Sequence, residues 1–277
     1  MGGGVYLSFC KEGSGGGLGW ERKSKGGAGA VHSAIIPPMQ YLKTGTARLG
    51  INLNPSQIEQ FQVYYQELTD WTKHINLTTI TELKEVQLKH FLDSLTVILA
   101  FKQPAEMEGL RIIDIGSGAG FPGLPLKIAF PSIKLTLLEA TSKKASFLHH
   151  IAHILDIEGA EVIAGRAEEI AHKAEYREQF DVVLSRAVSS LPSLVELTLP
   201  FCKTGGIVIL QKKGDVEDEL RRADKAIELL GGSQPEVKSI DLPELPDNRY
   251  LMVTNKMNPT PTQYPRRPGI PIKRPIV

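Results

Sequence analysis

Residues 112–123 read Ile112-Ile113-Asp114-Ile115-Gly116-Ser117-Gly118-Ala119-Gly120-Phe121-Pro122-Gly123. An apolar strand ends, the chain turns on glycines, and a helix begins. Glycine permits positive φ and lets a ligand approach the backbone closely. A loop of this kind lies where open α/β sheets bind ligands, at the carboxyl end of the first strand. Two alignments of the pattern compete. From Gly116 it reads G-x-G-x-G, with an acid, Asp114, two residues ahead. From Gly118 it reads G-x-G-x-x-G, the dinucleotide fingerprint. The second alignment places Phe121 and Pro122 inside the turn, and an acid where dinucleotide sites are usually apolar.

Outward from this loop the chain alternates. Apolar runs at Arg111–Ile115, Lys134–Glu139, Ala160–Ala164, Phe180–Ser185 and Gly206–Gln211 are separated by helical patterns near Pro122–Phe130, Ser142–Leu155, Leu191–Phe201 and Val216–Leu230. Strand–helix alternation predicts right-handed crossovers and a mostly parallel, doubly wound α/β sheet. Two more runs, Glu236–Asp241 and Arg249–Asn255, have only a Pro-containing loop between them. No crossover helix fits there, so that pair is expected to be antiparallel. Upstream, Asn54 caps a helix whose first turn holds Pro55, and a second helix covers about Leu83–Phe101. The expected divisions are a disordered Gly-rich extension at 1–45, a helical element at 46–105, the sheet domain at 106–258 and a basic Pro-rich tail at 259–277.

D-x-G-x-G-x-G resembles the first motif of the class I S-adenosylmethionine-dependent methyltransferases, whose sheet has seven strands. Glu139 ends the second strand, where an acid accepts both ribose hydroxyls of an adenosine. It supports an adenosine-containing cofactor without saying which. Arg186 follows the fourth strand, in Ser185-Arg186-Ala187, where this fold presents the methyl group. No Asn/Asp-Pro-Pro-aromatic clamp for exocyclic amines is present. Cys202 reads as a small core residue rather than the nucleophile that methylation of a pyrimidine carbon needs. A ring nitrogen such as guanine N7 carries no proton, so alignment alone serves. Arg186 then positions the substrate, through guanine O6 or a phosphate.

Composition sets bounds on partners. The 277 residues are 42% hydrophobic, with a net charge of +1, so RNA contact requires a local basic patch. Cys10 and Cys202 make no disulfide framework and no zinc spacing. His149, His150 and His153 lack a third ligand and are expected on the exposed side of their helix, so no metal is expected. No apolar run is long enough to span a bilayer. Arg266, Arg267, Lys273 and Arg274, among four prolines, read as an extended arm that either grips phosphate or only aids solubility.

Four further elements carry a closer resemblance: Asn76-Leu77-Thr78, His90-Phe91-Leu92-Asp93-Ser94-Leu95, Ser185-Arg186-Ala187 and Tyr264-Pro265-Arg266-Arg267-Pro268-Gly269. With the Phe-Pro-Gly ending of the glycine loop, residues from about Asn54 to Val277 resemble the bacterial 16S ribosomal RNA guanine-N7 methyltransferases, the glucose-inhibited division protein B family. The resemblance implies S-adenosyl-L-methionine as cofactor and a guanine of small-subunit ribosomal RNA, free or in the small subunit, as target. It places cofactor contacts on Gly116, Phe121, Glu139, Ala140, Thr141, Ala167, Glu168 and Arg186. A cytoplasmic monomer is expected. Two rival readings remain: an NAD(P)-dependent oxidoreductase, on the shifted glycine pattern, and a non-catalytic RNA-binding factor, on the basic tail.

Overall fold

A computed structural model describes residues 6–10, 19–23, 38–186, 189–214 and 216–277, the first two spans by backbone alone. Contacts divide the chain into two units, Met1–Pro38 and Met39–Val277. In the first, Tyr6–Cys10 and Gly19–Lys23 pair antiparallel, where disorder is the expectation. The rest of that expectation lies outside the described residues, except at its end. Gln40–Arg48 is a helix that crosses the boundary placed at 45/46. Met39, Leu42, Thr46 and Leu49, at helical spacing, bury one face. Gly45 is there for space, because a Cβ would collide with Leu92.

The second unit is built on seven strands: β1 Arg111–Ile115, β2 Lys134–Glu139, β3 Ala160–Ala164, β4 Phe180–Arg186, β5 Cys202–Lys213, β6 Glu236–Ser239 and β7 Arg249–Asn255. Their order is β3-β2-β1-β4-β5-β7-β6, with β7 antiparallel to both its neighbours and the other pairings parallel. The sheet is the expected class I methyltransferase arrangement, and the final pair is antiparallel as its short loop requires. Ile113, Val183, Val208 and Leu210 pack one face against Leu194, Val195, Ala226 and Ile227 of the helices Leu191–Thr198 and Glu217–Leu229. Cys202 is fully buried in this core, at the start of β5, and burial pushes its thiol up to about 12. A thiol so held is a packing residue.

Helix Pro55–Thr72 starts on a capping box: Gln57 N–H donates to Asn54 Oδ1 at 2.9 Å, and Asn54 N–H to Gln57 Oε1 at 2.8 Å. Gln57 Nε2 also donates to the carbonyls of Ile128 and Ala129, closing the far end of helix Gly123–Ala129. The single helix expected over Leu83–Phe101 differs in kind. Leu83–Val86 is α-helical, Gln87–Leu92 is a π turn, and Thr96–Ala100 is a 3-10 turn. A π turn takes an extra residue per loop of helix and recurs at functional sites. Here it carries Lys89 and His90, with Asp93 next.

The tail is not an extended arm. It is docked, and it contains a short helix, Ile270–Lys273, that its prolines do not prevent because Pro271 sits in the first turn. Arg266 grips the fully buried Glu196 through Nε and Nη2. Arg177 donates to the carbonyls of Thr260, Pro261 and Tyr264, and Gly269 N–H donates to Glu168 Oε1 at 2.8 Å. Arg266 is therefore a structural cation, while Arg267, Lys273 and Arg274 are exposed. Arg266→Ala leaves Glu196 buried without its counterion and should destabilise the fold by about 3 kcal/mol, whereas an exposed Arg267→Ala should cost under about 0.5 kcal/mol. Equal urea midpoints for the two variants would contradict this.

Candidate active site

The loop after β1 is held from three sides. Gly116 N–H and Ser117 N–H both donate to Leu138 O, at 2.8 and 3.1 Å, which pins the turn to the end of β2. Tyr64, fully buried, donates its hydroxyl to Ala119 O and stacks on Phe121 with ring centroids 5.5 Å apart. Asp114 Oδ2 accepts from Gly123 N–H at 2.9 Å, joining the strand end to the helix start. Burial raises Asp114 to about 7, and its Oδ1 has no partner. Gly116, Gly118 and Gly120 all have positive φ, and the Phe121–Pro122 bond is cis.

Glu139 closes the loop over β2. Its Oε2 accepts from Gly118 N–H at 2.9 Å and its Oε1 from Thr141 N–H at 2.8 Å. The carboxylate is thus already fixed by two backbone amides, with Ala140 and Thr141 exposed beside it. At Gly118 an added Cβ would meet nothing nearer than Gly116 O, at 3.9 Å. Open space over a positive-φ glycine, beside a fixed carboxylate and an unpartnered buried carboxyl oxygen, fits an adenosyl ligand carrying hydroxyls and an ammonium group. Gly165 N–H donates to Glu139 O at 3.0 Å, which brings the turn before Ala167 and Glu168 to the same edge.

A basic cavity of about 490 Å³ adjoins the loop, lined by Lys89, Arg186, Lys212, Lys213 and Arg249 around Asp93. Arg186 stands 4.9 Å from the Phe121 ring centroid, a cation–π distance that ties the cavity to the glycine loop. Its Nη1 donates to Asp93 Oδ2 at 3.1 Å and to Lys89 O at 3.3 Å. Arg249 Nη1 pairs with Asp93 Oδ1. One carboxylate therefore holds two guanidiniums apart. Asp93 is itself anchored, since Gln211 Nε2 donates to its carbonyl at 2.6 Å. His90 stacks flat on Phe121, 4.6 Å between centroids, and its Nε2 meets Thr78 Oγ1 at 2.8 Å. Burial, followed by the Arg186 charge, lowers His90 to about 3, so it is neutral at any working pH.

The structure gathers Gly116, Phe121, Glu139, Ala140, Thr141 and Arg186 along the carboxyl ends of β1, β2 and β4. Ala167 and Glu168 reach the same edge at β3, but the Glu168 carboxylate already accepts from Gly269 N–H of the tail. Asp93 stands in the sequence only as part of the His90–Leu95 element, and Gln211, Lys213 and Arg249 carry no functional mark there. The available signal was an arginine in an apolar strand, since Arg249 opens β7 yet is only 2% exposed. Of the three histidines on helix Ser142–Ile154, His149 and His153 are exposed, and His150 pairs with Glu67 at 2.6 Å.

A family model described as "GidB: rRNA small subunit methyltransferase G" matches residues 57–247. The protein named ribosomal RNA small subunit methyltransferase G in Dehalococcoides mccartyi (strain CBDB1) is 51% identical over 239 residues, covering 86% of this chain and all of that one. The protein of the same name in Roseiflexus castenholzii is 46% identical over 228 residues, covering 82% of this chain and 95% of its own. Both the oxidoreductase and the non-catalytic readings fall at this point. The chain belongs to the rRNA small subunit methyltransferase G family, and it is an S-adenosylmethionine-dependent methyltransferase.

Proposed function

We propose that this enzyme methylates N7 of a guanine in small-subunit ribosomal RNA, free or within the small subunit. The observation that carries the reading is the basic cavity against the glycine loop, whose one carboxylate and one imidazole are both committed. Asp93 is locked between Arg186 and Arg249, and His90 is held neutral and bound to Thr78. Guanine N7 has a free lone pair and no proton to remove, so it needs alignment rather than a base. S-adenosylmethionine supplies the electrophilic methyl group. Gly116, Phe121, Glu139, Ala140 and Thr141 hold it, with Ala167 and Glu168 at the adenine end. Arg186 positions the guanine, its guanidinium fixed by Asp93 and by the Phe121 face.

Lys213 at the cavity, with exposed Arg267, Lys273 and Arg274, supplies cations for phosphates, while Lys212 is already paired with Glu219 at 2.7 Å. No helix of the described residues is long and apolar enough to cross a membrane. A monomer acting in the cytoplasm suits this substrate. The test is to map N7-methylguanine in small-subunit RNA after reaction with purified enzyme. Wild type should give one modified guanine. Arg186→Ala should lose about a hundredfold in rate, with RNA affinity within threefold, because it misplaces the acceptor rather than releasing it. Methylation of any other atom, or none, would refute the reading.

A further inference from the structure

A second cavity, of about 430 Å³, lies beside the basic one and shares Lys89 and Arg249 with it. Tyr41 on the Gln40–Arg48 helix, Leu88 on the π turn and the Pro243–Asp247 loop before β7 bound it. Its charge differs from that of its neighbour. Five cations face one acid, Asp93, in the basic cavity. Here Lys84, Lys89 and Arg249 meet Glu85, Glu244 and Asp247. Each acid is already paired: Glu85 with Lys89, Asp247 with Arg249, and Glu244 with Arg48 outside the cavity. A phosphate gains little in such a balanced lining. A flat group with polar edges gains more.

Three features suit a nucleobase. Leu88 and Leu245 give a buried apolar floor. Tyr41 is 45% exposed, and the Lys84 ammonium lies over its ring, 5.1 Å from the centroid. Glu244 has a buried carboxylate oxygen, Oε2, without a hydrogen-bond partner. An aromatic face binds any base by stacking, and a carboxylate oxygen accepts from a base N–H edge.

We infer that this cavity is a subsite for the nucleotide next to the target guanine. Tyr41 is its stacking platform, Glu244 accepts from the base edge, and Lys89 faces the linking phosphate at the boundary of the two cavities. The inference rests on the basic cavity being the guanine site.

The full-length enzyme, with S-adenosylhomocysteine and whichever small-subunit RNA or particle it methylates, is irradiated with short-wave ultraviolet light. The cross-linked peptides are then sequenced by mass spectrometry. The peptide containing Tyr41 should carry the nucleotide immediately adjacent to the methylated guanine. In kinetics, Tyr41→Ala should raise KM for RNA about tenfold, the worth of one stacked base. Its kcat and cofactor affinity should stay within about twofold, a split that a general loss of structure would not give. Tyr41→Phe should behave as wild type. A cross-link to a remote nucleotide, or to a ribosomal protein, overturns the inference, as does an unchanged KM in Tyr41→Ala. A wild-type enzyme that methylates no RNA takes down the guanine-site reading and this one with it.

Discussion

Asp93→Ala should destabilise the fold by at least about 3 kcal/mol and slow methyl transfer by at least about a hundredfold. The Asp93 side chain is 6% exposed, and it is the shared counterion of Arg186, 15% exposed, and Arg249, 2% exposed. Removing it leaves two desolvated guanidiniums facing each other. The Arg249 side falls on stability, because Arg249 cannot reach solvent; its remaining carboxylate partner is Asp247, half-exposed at 3.1 Å. The Arg186 side falls on rate, because the guanidinium loses the contact that holds it over Phe121. The two effects separate in a double variant. Asp93→Leu with Arg249→Leu replaces the buried pair with apolar groups, and such replacements are often neutral or stabilising. The melting temperature should largely return while the rate stays low. Thermal unfolding and single-turnover kinetics read the two quantities. A rate that recovers along with stability would mean that Asp93 acts through the fold alone.

Gly118→Val should cost S-adenosylmethionine at least a hundredfold in affinity, about 2.7 kcal/mol. Two effects add. A branched residue at φ 59° is strained by about 1–3 kcal/mol, whether or not ligand is present. The isopropyl group also fills the space above the loop, where the nearest protein atom to a Cβ is 3.9 Å away. Only the second effect acts on binding, so a control for the first is needed. Gly50 provides it, with φ 72° and nothing within 4 Å of an added Cβ, in the connection ahead of helix Pro55–Thr72. Gly50→Val should lower stability comparably and leave the cofactor Kd unchanged. Calorimetric titration of both variants decides. Equal affinities would place the adenosyl group elsewhere.

The sequence disclosed the sheet because its strands are short apolar runs between turn residues, and buried parallel strands have that composition. The glycine loop and Glu139 were legible for the same local reason: a positive-φ turn and an acid at a strand end show in a few consecutive residues. What stayed hidden depends on distant partners. Arg266 reads as an RNA-facing cation until Glu196, 70 residues away, is placed beside it. The prolines around it suggest an arm, yet the carbonyls they leave free are what Arg177 and His172 bind. Gly45 reads as the end of a glycine-rich extension, and only Leu92 explains it as a close helix contact. Asp93 looks like one polar residue in an apolar helix, because a π turn leaves no mark in a 3.6-residue pattern.

The place of β7 sets a timetable for the newborn chain. β7 is the last strand made, yet it lies between β5 and β6, and its first residue supplies Arg249 to a partner 156 residues earlier. A chain emerging at about 5–20 residues per second completes β1 to β4 and the glycine loop well before that strand exists. During the interval β5 is an unguarded edge twelve residues long, open to pairing with another chain. On the proposed sites, the cofactor contacts of β1 and β2 are made ahead of the Arg249–Asp93 pair that frames the basic cavity, and bound cofactor should favour the half-made sheet over its misfolded rivals. On ribosome-stalled chains that end before β7, amides of β1 and β2 should already be protected from hydrogen exchange. An absence of protection until β7 has emerged would mean that the sheet closes in one step.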